Sequence, residues 1–97
     1  MIVINIQMDE ITITGHARYA PQGKDIVCAG ISALVQTLIK SLQDLTIDKI
    51  EYVLSPGDAR IKYKDLSGTA ITLIDSFFVG AKMIADEYPG HVQVNRV

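Results

Sequence analysis

The stretch Ile2-Val3-Ile4-Asn5-Ile6-Gln7-Met8-Asp9-Glu10-Ile11-Thr12-Ile13-Thr14-Gly15 decides how the rest of the chain is read. Ile2, Ile4 and Ile6 alternate with Val3, Asn5 and Gln7; Ile11 and Ile13 alternate with Thr12 and Thr14. Successive side chains of a strand point to opposite faces, so this period of two, carried by β-branched residues, predicts two strands. Met8-Asp9-Glu10 supplies the turn of a tight hairpin between them. The second strand runs out at Gly15-His16.

Beyond the hairpin the period changes. The segment Ala17-Arg18-Tyr19-Ala20-Pro21-Gln22-Gly23-Lys24 has none, and Pro21 and Gly23 punctuate it as a loop. From Asp25, residues Val27, Ile31, Leu34, Val35, Leu38, Leu42 and Leu45 recur at steps of three and four, with Gln36, Lys40 and Gln43 opposite them. This is an amphipathic helix with an aspartate at its N-cap. A second hairpin is predicted from Ile50, Tyr52 and Leu54, the turn Pro56-Gly57-Asp58, and Ala59, Ile61 and Tyr63. Its polar face points to a sheet covered by helices on one side only. A second helical stripe runs from Ala70 to Tyr88 and stops at Pro89-Gly90. Thr69, Ile71 and Thr72 leave its start ambiguous, because β-branched residues also extend strands. His91 to Val97 alternates weakly, as a last strand. The expected architecture is α+β: two layers in the order β-β-α-β-β-α-β, with a mixed or antiparallel sheet and both helices on one face.

The chain has 97 residues, which fits a single domain over residues 1–97. A formal net charge of -2 argues against a protein held to nucleic acid by phosphate neutralisation. One Cys rules out an internal disulfide, and two His beside it are too few for an ordinary structural zinc site. No metal or cofactor is expected. No signal peptide is expected from Met1-Ile2-Val3-Ile4-Asn5, and no stretch is expected to approach the roughly 18 apolar residues of a membrane span. These point to a cytoplasmic protein with a reduced thiol.

The chemistry centres on Cys28. With Asp25 as cap it sits in the first helical turn, where unpaired N–H groups and the positive end of the helix dipole favour thiolate over thiol. The N–H groups of Cys28 and Ala29 are candidates for an oxyanion hole, and the small Ala29-Gly30 pair would let a substrate backbone approach. The alternative is plainer: Cys28 lies at the edge of the Ile31–Val35–Leu38 stripe, where a free cysteine serves as a small hydrophobe. His16, at a strand end, is a candidate base, against an ordinary exposed polar residue. Asp25 either caps the helix or orients His16, and both hold if its oxygens divide the work. Ser32, one turn beyond Cys28, is a candidate supporting residue or a helix-flank serine. His91 has no obvious partner, and the stripe Arg60, Lys62 and Lys64 reads as a solvated face.

Gly15-His16-Ala17, then the Gly-containing loop, then Asp25-Ile26-Val27-Cys28-Ala29-Gly30-Ile31-Ser32, resembles the ribosomal-processing cysteine protease family (Prp, YsxB-like), in which Gly-His-Ala is followed after a mobile loop by Asp-x-x-Cys-Ala-x-x-Ser. Gly80 with Ile84-Ala85-Asp86-Glu87-Tyr88-Pro89 and Val92-x-Val94 is similar to that family's last helix and strand; Gly80-Ala81 replaces an expected Gly-Leu. The resemblance implies a small α/β homodimer. It implies Cys28 as nucleophile, His16 as general base, Asp25 and Ser32 in support, and Ala17 to Lys24 as a gate. The implied substrate is a protein: the precursor of large-subunit ribosomal protein twenty-seven, which loses an N-terminal extension, or a phage capsid or scaffold protein. Neither nucleic acid nor membrane is a direct partner in this reading. The competing classes are a non-catalytic dimeric module binding a ribosomal or phage protein, and a redox sensor, which lacks a resolving cysteine within the chain.

Overall fold

The computed structural model describes residues 1–97. Strand β1 (Ile2–Ile6) and strand β2 (Glu10–Thr14) form the first hairpin, and helix α1 spans Ile26–Leu45. Strand β3 (Glu51–Ser55) and strand β4 (Asp58–Lys62) form the second hairpin. Helix α2 (Gly68–Glu87) and strand β5 (Val92–Arg96) complete the chain. The five strands make one sheet in the order β3-β4-β2-β1-β5. All pairings are antiparallel except β1 with β5, which is parallel and sets Ile2 opposite Val92 and Ile4 opposite Val94. The sheet is mixed because each helix carries the chain between strands that run the same way, β2 to β3 and β4 to β5.

The isoleucine face of the first hairpin is the floor of the core. Ile4, Ile11 and Ile61 are fully buried beneath Val27, Ile31, Val35 and Leu42 of α1 and Ala70, Ile74 and Phe77 of α2. Both helices cover this face, as the alternation predicts. They also touch each other closely. A Cβ at Gly80 would stand 3.2 Å from Leu34 Cδ1, and one at Gly30 would stand 3.3 Å from Ile84 Cδ1. The smallness of Gly30 therefore serves helix packing rather than the approach of a substrate.

Three further expectations are adjusted. Ser67 caps α2, its hydroxyl accepting from the Ala70 N–H at 3.2 Å, so the β-branched run after it is helical. Asp48 fixes that cap by accepting from the Ser67 N–H and, at 2.6 Å, from its hydroxyl. Strand β3 is exposed along its whole length, including Tyr52 and Leu54, because it forms the sheet edge beyond the cover of the helices. Finally, both helices are long and apolar enough on average to match a membrane span, contrary to the expectation from the sequence. Their buried residues are confined to one stripe, while Lys40, Asp44, Lys82 and Asp86 pair on the outer faces, the pattern of core helices.

Candidate active site

The N-terminus of α1 is built by one carboxylate. Asp25 is the N-cap, and its Oδ1 accepts from the N–H groups of Val27 and Cys28, both at 3.0 Å. Its Oδ2 accepts from the N–H groups of Tyr19 and Ala20 at 2.9 and 3.2 Å. The Cys28 N–H, foremost, holds the Asp25 carboxyl below its ordinary value of 3.8; desolvation opposes this, and the Ala20, Tyr19 and Val27 N–H groups add to it. The two readings of Asp25 are thereby separated. It caps the helix with one oxygen and ties down the loop with the other.

That arrangement corrects the proposed oxyanion hole. The Cys28 N–H is engaged by Asp25 Oδ1, and the Ala29 N–H donates to the Asp25 carbonyl at 3.0 Å. Both are spent on the helix start. The N–H that faces the sulfur comes from outside the helix: Ala17 N–H donates to Cys28 Sγ at 3.4 Å. Cys28 itself is half-buried and packs against the core while its sulfur faces this loop.

His16 precedes Ala17 at the end of β2, and the chain bends there because Gly15 takes φ +90°. A Cβ at Gly15 would lie 2.2 Å from the Met1 carbonyl oxygen, so only glycine fits. The Gly15 N–H donates to the Gly57 carbonyl at 2.9 Å, bringing the tip of the second hairpin beneath His16. A Cβ at Gly57, whose φ is +72°, would come within 2.6 Å of His16 Nε2. The Pro56-Gly57 turn is thus a floor for the imidazole, a role not legible in the sequence, where it reads only as a hairpin turn.

Two grooves meet at this point. One, of about 300 Å³, runs between α1 and the sheet edge and is walled by Ile31, Val35, Leu54 and Ala59. The other, of about 760 Å³, lies on the loop side beside Arg18, Gln22, Gly23 and Asp25. His16, Cys28, Ser32, Pro56 and Gly57 line both. Cys28 and His16 are thus accessible from both grooves.

The loop is not uniform. Ala17 is buried, its N–H on the sulfur and its carbonyl 2.8 Å from His91 Nδ1. The Tyr19 ring meets Tyr88 and His91 edge-on, with centroids 5.2 and 5.4 Å apart. Pro21 to Lys24 are exposed. The segment expected to move as a whole is docked over Ala17 to Ala20 and open beyond. His91, which the sequence leaves without a partner, is part of that docking; only the parallel pairing of β5 with β1 brings it there.

The chain is similar to proteins of one known family. The model of the family described as cysteine protease Prp matches residues 1–93. The ribosomal processing cysteine protease Prp of Mycoplasma genitalium is 35% identical over 95 residues, covering 98% of this chain and 95% of the relative. Its namesake in Staphylococcus aureus (strain Mu50) is 28% identical, covering 98% of each chain. Among solved structures, the S. aureus processing protease Prp with a covalently linked product peptide superposes with a TM-score of 0.94 at 24% identity, over all of both chains. SMU.848 from Streptococcus mutans superposes with a TM-score of 0.80 at 22% identity, covering 99% of this chain and 91% of that one. These structural likenesses establish the shared α+β fold. The match to the family over residues 1–93, and the Mycoplasma relative across nearly its whole length, place the chain in the Prp family of cysteine proteases.

Proposed function

We propose that this protein is a cytoplasmic endopeptidase that removes the N-terminal extension from the precursor of large-subunit ribosomal protein twenty-seven, with Cys28 as nucleophile and His16 as general base. The observation that carries the reading is that Cys28 and His16 line the same cleft, where two grooves meet. His16 takes the thiol proton, and the Cys28 sulfur attacks the peptide carbonyl carbon, forming a C–S bond and moving the carbonyl π pair onto oxygen. Collapse of that intermediate breaks the C–N bond, and the imidazolium gives its proton to the leaving amine. Water, deprotonated by His16, then splits the thioester to a carboxylic acid and restores the thiol. Ser32 borders the reacting groups, and Asp25 supports them through the backbone.

The relatives carry ribosomal processing in their names, which favours the ribosomal precursor over a phage protein as substrate. The exposed Tyr52, Val53 and Leu54 on edge strand β3 leave an apolar border that a second copy covers in a homodimer. Pro21 to Lys24 swing aside to admit the peptide. Intact-mass analysis of the precursor after incubation with wild type and with Cys28→Ser tests the reading. A shortened product with wild type and none with Cys28→Ser is expected. An unchanged mass with both, or equal cleavage by both, refutes it and, in the first case, leaves the binding module.

A further inference from the structure

We propose that the backbone N–H of Ala17 is the oxyanion donor of this protease and that His91 is the residue that positions it. The inference rests on the protease reading above. It starts from the accounting of donors around the sulfur. An oxyanion hole needs N–H groups that are fixed before reaction and aimed where charge develops. The Cys28 and Ala29 N–H groups are committed to Asp25 at 3.0 Å each. Ala17 N–H is instead directed at Cys28 Sγ from 3.4 Å. The oxyanion is bonded to the carbon that sulfur attacks, two bonds from Sγ. That oxygen therefore develops beside a donor already aimed at the sulfur.

Ala17 is held for this task from its other side. Its carbonyl accepts from His91 Nδ1 at 2.8 Å, which requires that Nδ1 carry the proton. His91 is itself fixed: its N–H donates to the Tyr88 carbonyl and its carbonyl accepts from the Ile2 N–H, both at 2.9 Å. Its ring also meets Tyr19 edge-on. A rigid imidazole at the start of β5 therefore sets the tilt of the residue whose N–H faces the nucleophile, across 74 residues of sequence. His91 touches neither sulfur nor substrate in this scheme; it acts through Ala17.

The test uses the full chain, a peptide spanning the junction cut in the mass analysis, and the aldehyde of that peptide's acyl side. The aldehyde adds to the thiolate and builds a tetrahedral oxyanion. Cys28 is a native ligation junction, so an ester can replace the His16–Ala17 amide and delete this one N–H. The ester variant is expected to lose about a hundredfold in kcat with KM nearly unchanged, and aldehyde affinity to weaken in parallel. His91→Phe, which keeps the ring and removes the donor, is expected to lose about tenfold in kcat, with His91→Asn restoring most of it. Alkylation of Cys28 by iodoacetamide, which builds no oxyanion, should respond far less than aldehyde binding in these variants. A folded ester variant with wild-type kcat and aldehyde affinity overturns the donor assignment. A full-rate His91→Phe, or one not rescued by Asn, overturns the role of His91. Wild type inert to peptide and aldehyde alike refutes the protease reading itself, and the inference falls with it.

Discussion

Asp25 Oδ1 accepts the Cys28 N–H at 3.0 Å, so the residue that starts helix α1 also sets the backbone of the proposed nucleophile. The same carboxylate's Oδ2 holds Tyr19 and Ala20. Helix start and loop base are thus coupled through a single side chain with two acceptor oxygens.

That division makes Asp25→Asn a selective probe. An asparagine oxygen serves the Val27 and Cys28 N–H groups as an N-cap, but its amide nitrogen cannot accept from Tyr19 and Ala20. The melting temperature should stay close to wild type while amide exchange at Tyr19 and Ala20 accelerates about tenfold or more. Hydrogen exchange read by mass spectrometry after peptic digestion checks this; unchanged protection of that segment would contradict it.

Acid should release the loop by the same route. A carboxyl lowered in the folded state stabilises it fully above the unfolded value and loses that contribution as pH falls through the folded value. For Asp25 the loss begins near its ordinary 3.8 and runs to lower pH. Exchange rates at Tyr19 and Ala20, corrected for intrinsic chemistry, should rise over that range in wild type and stay flat in Asp25→Asn.

At the far end of the sheet Tyr63 gives the opposite dependence. Burial above all, then the charges of Asp9 and Glu10 against that of Arg96, pushes its phenol up to about 12, and its hydroxyl donates to the Gln7 carbonyl at 2.6 Å. A phenol raised on folding stabilises the fold below its unfolded value near 10, and that stabilisation falls away as pH climbs towards about 12. Urea melts of wild type and Tyr63→Phe should therefore converge over that interval, the advantage of wild type shrinking with each step in pH.

Gly57→Ala should damage catalysis more than stability. The added methyl meets His16 Nε2 at 2.6 Å and strains a left-handed turn, costing about 1–2 kcal/mol in the backbone. A displacement of about 1 Å at a reacting group is worth about a hundredfold in rate. We expect kcat/KM to fall about that far while the circular dichroism spectrum is retained; wild-type kinetics would show that the imidazole does not rest on this turn.

In the core, Leu42 is fully buried. Leu42→Ala should cost about 2–5 kcal/mol, measured by urea unfolding, because transfer energy and the cavity left behind add. A loss under about 1 kcal/mol would mean that α1 collapses into the space.

Local pattern was enough for the elements. Isoleucines at every second position, the three-and-four stripe after Asp25, and Pro-Gly at the end of α2 each report on residues within a few positions of one another. The candidate cluster of His16, Asp25, Cys28 and Ser32 was legible for the same reason, since it spans one strand end, one loop and one helical turn. Expectations failed where an outcome depended on which acceptor a side chain's rotamer presents or on remote partners. The N–H groups of Cys28 and Ala29 look free in the sequence, and only the rotamer of Asp25 and the helix ladder engage them. Gly30 looks like an opening for substrate until Ile84 arrives from α2. The apolar side chains of β3 read as core until the strand order puts them at an edge.

What the sequence determined alone is therefore the order of strands and helices, the faces that the first hairpin and the two helices bury, and a sulfur beside the start of a helix. Tertiary structure decided which groups reach that sulfur. The Gly57 turn beneath His16 and the His91 ring behind Ala17 come from segments 41 and 74 residues away from those partners. Strand pairing brings them in, β4 against β2 and β5 against β1. Hydrogen bonds across such separations leave no periodic trace in the chain, because they depend on register in the assembled sheet rather than on the spacing of neighbours.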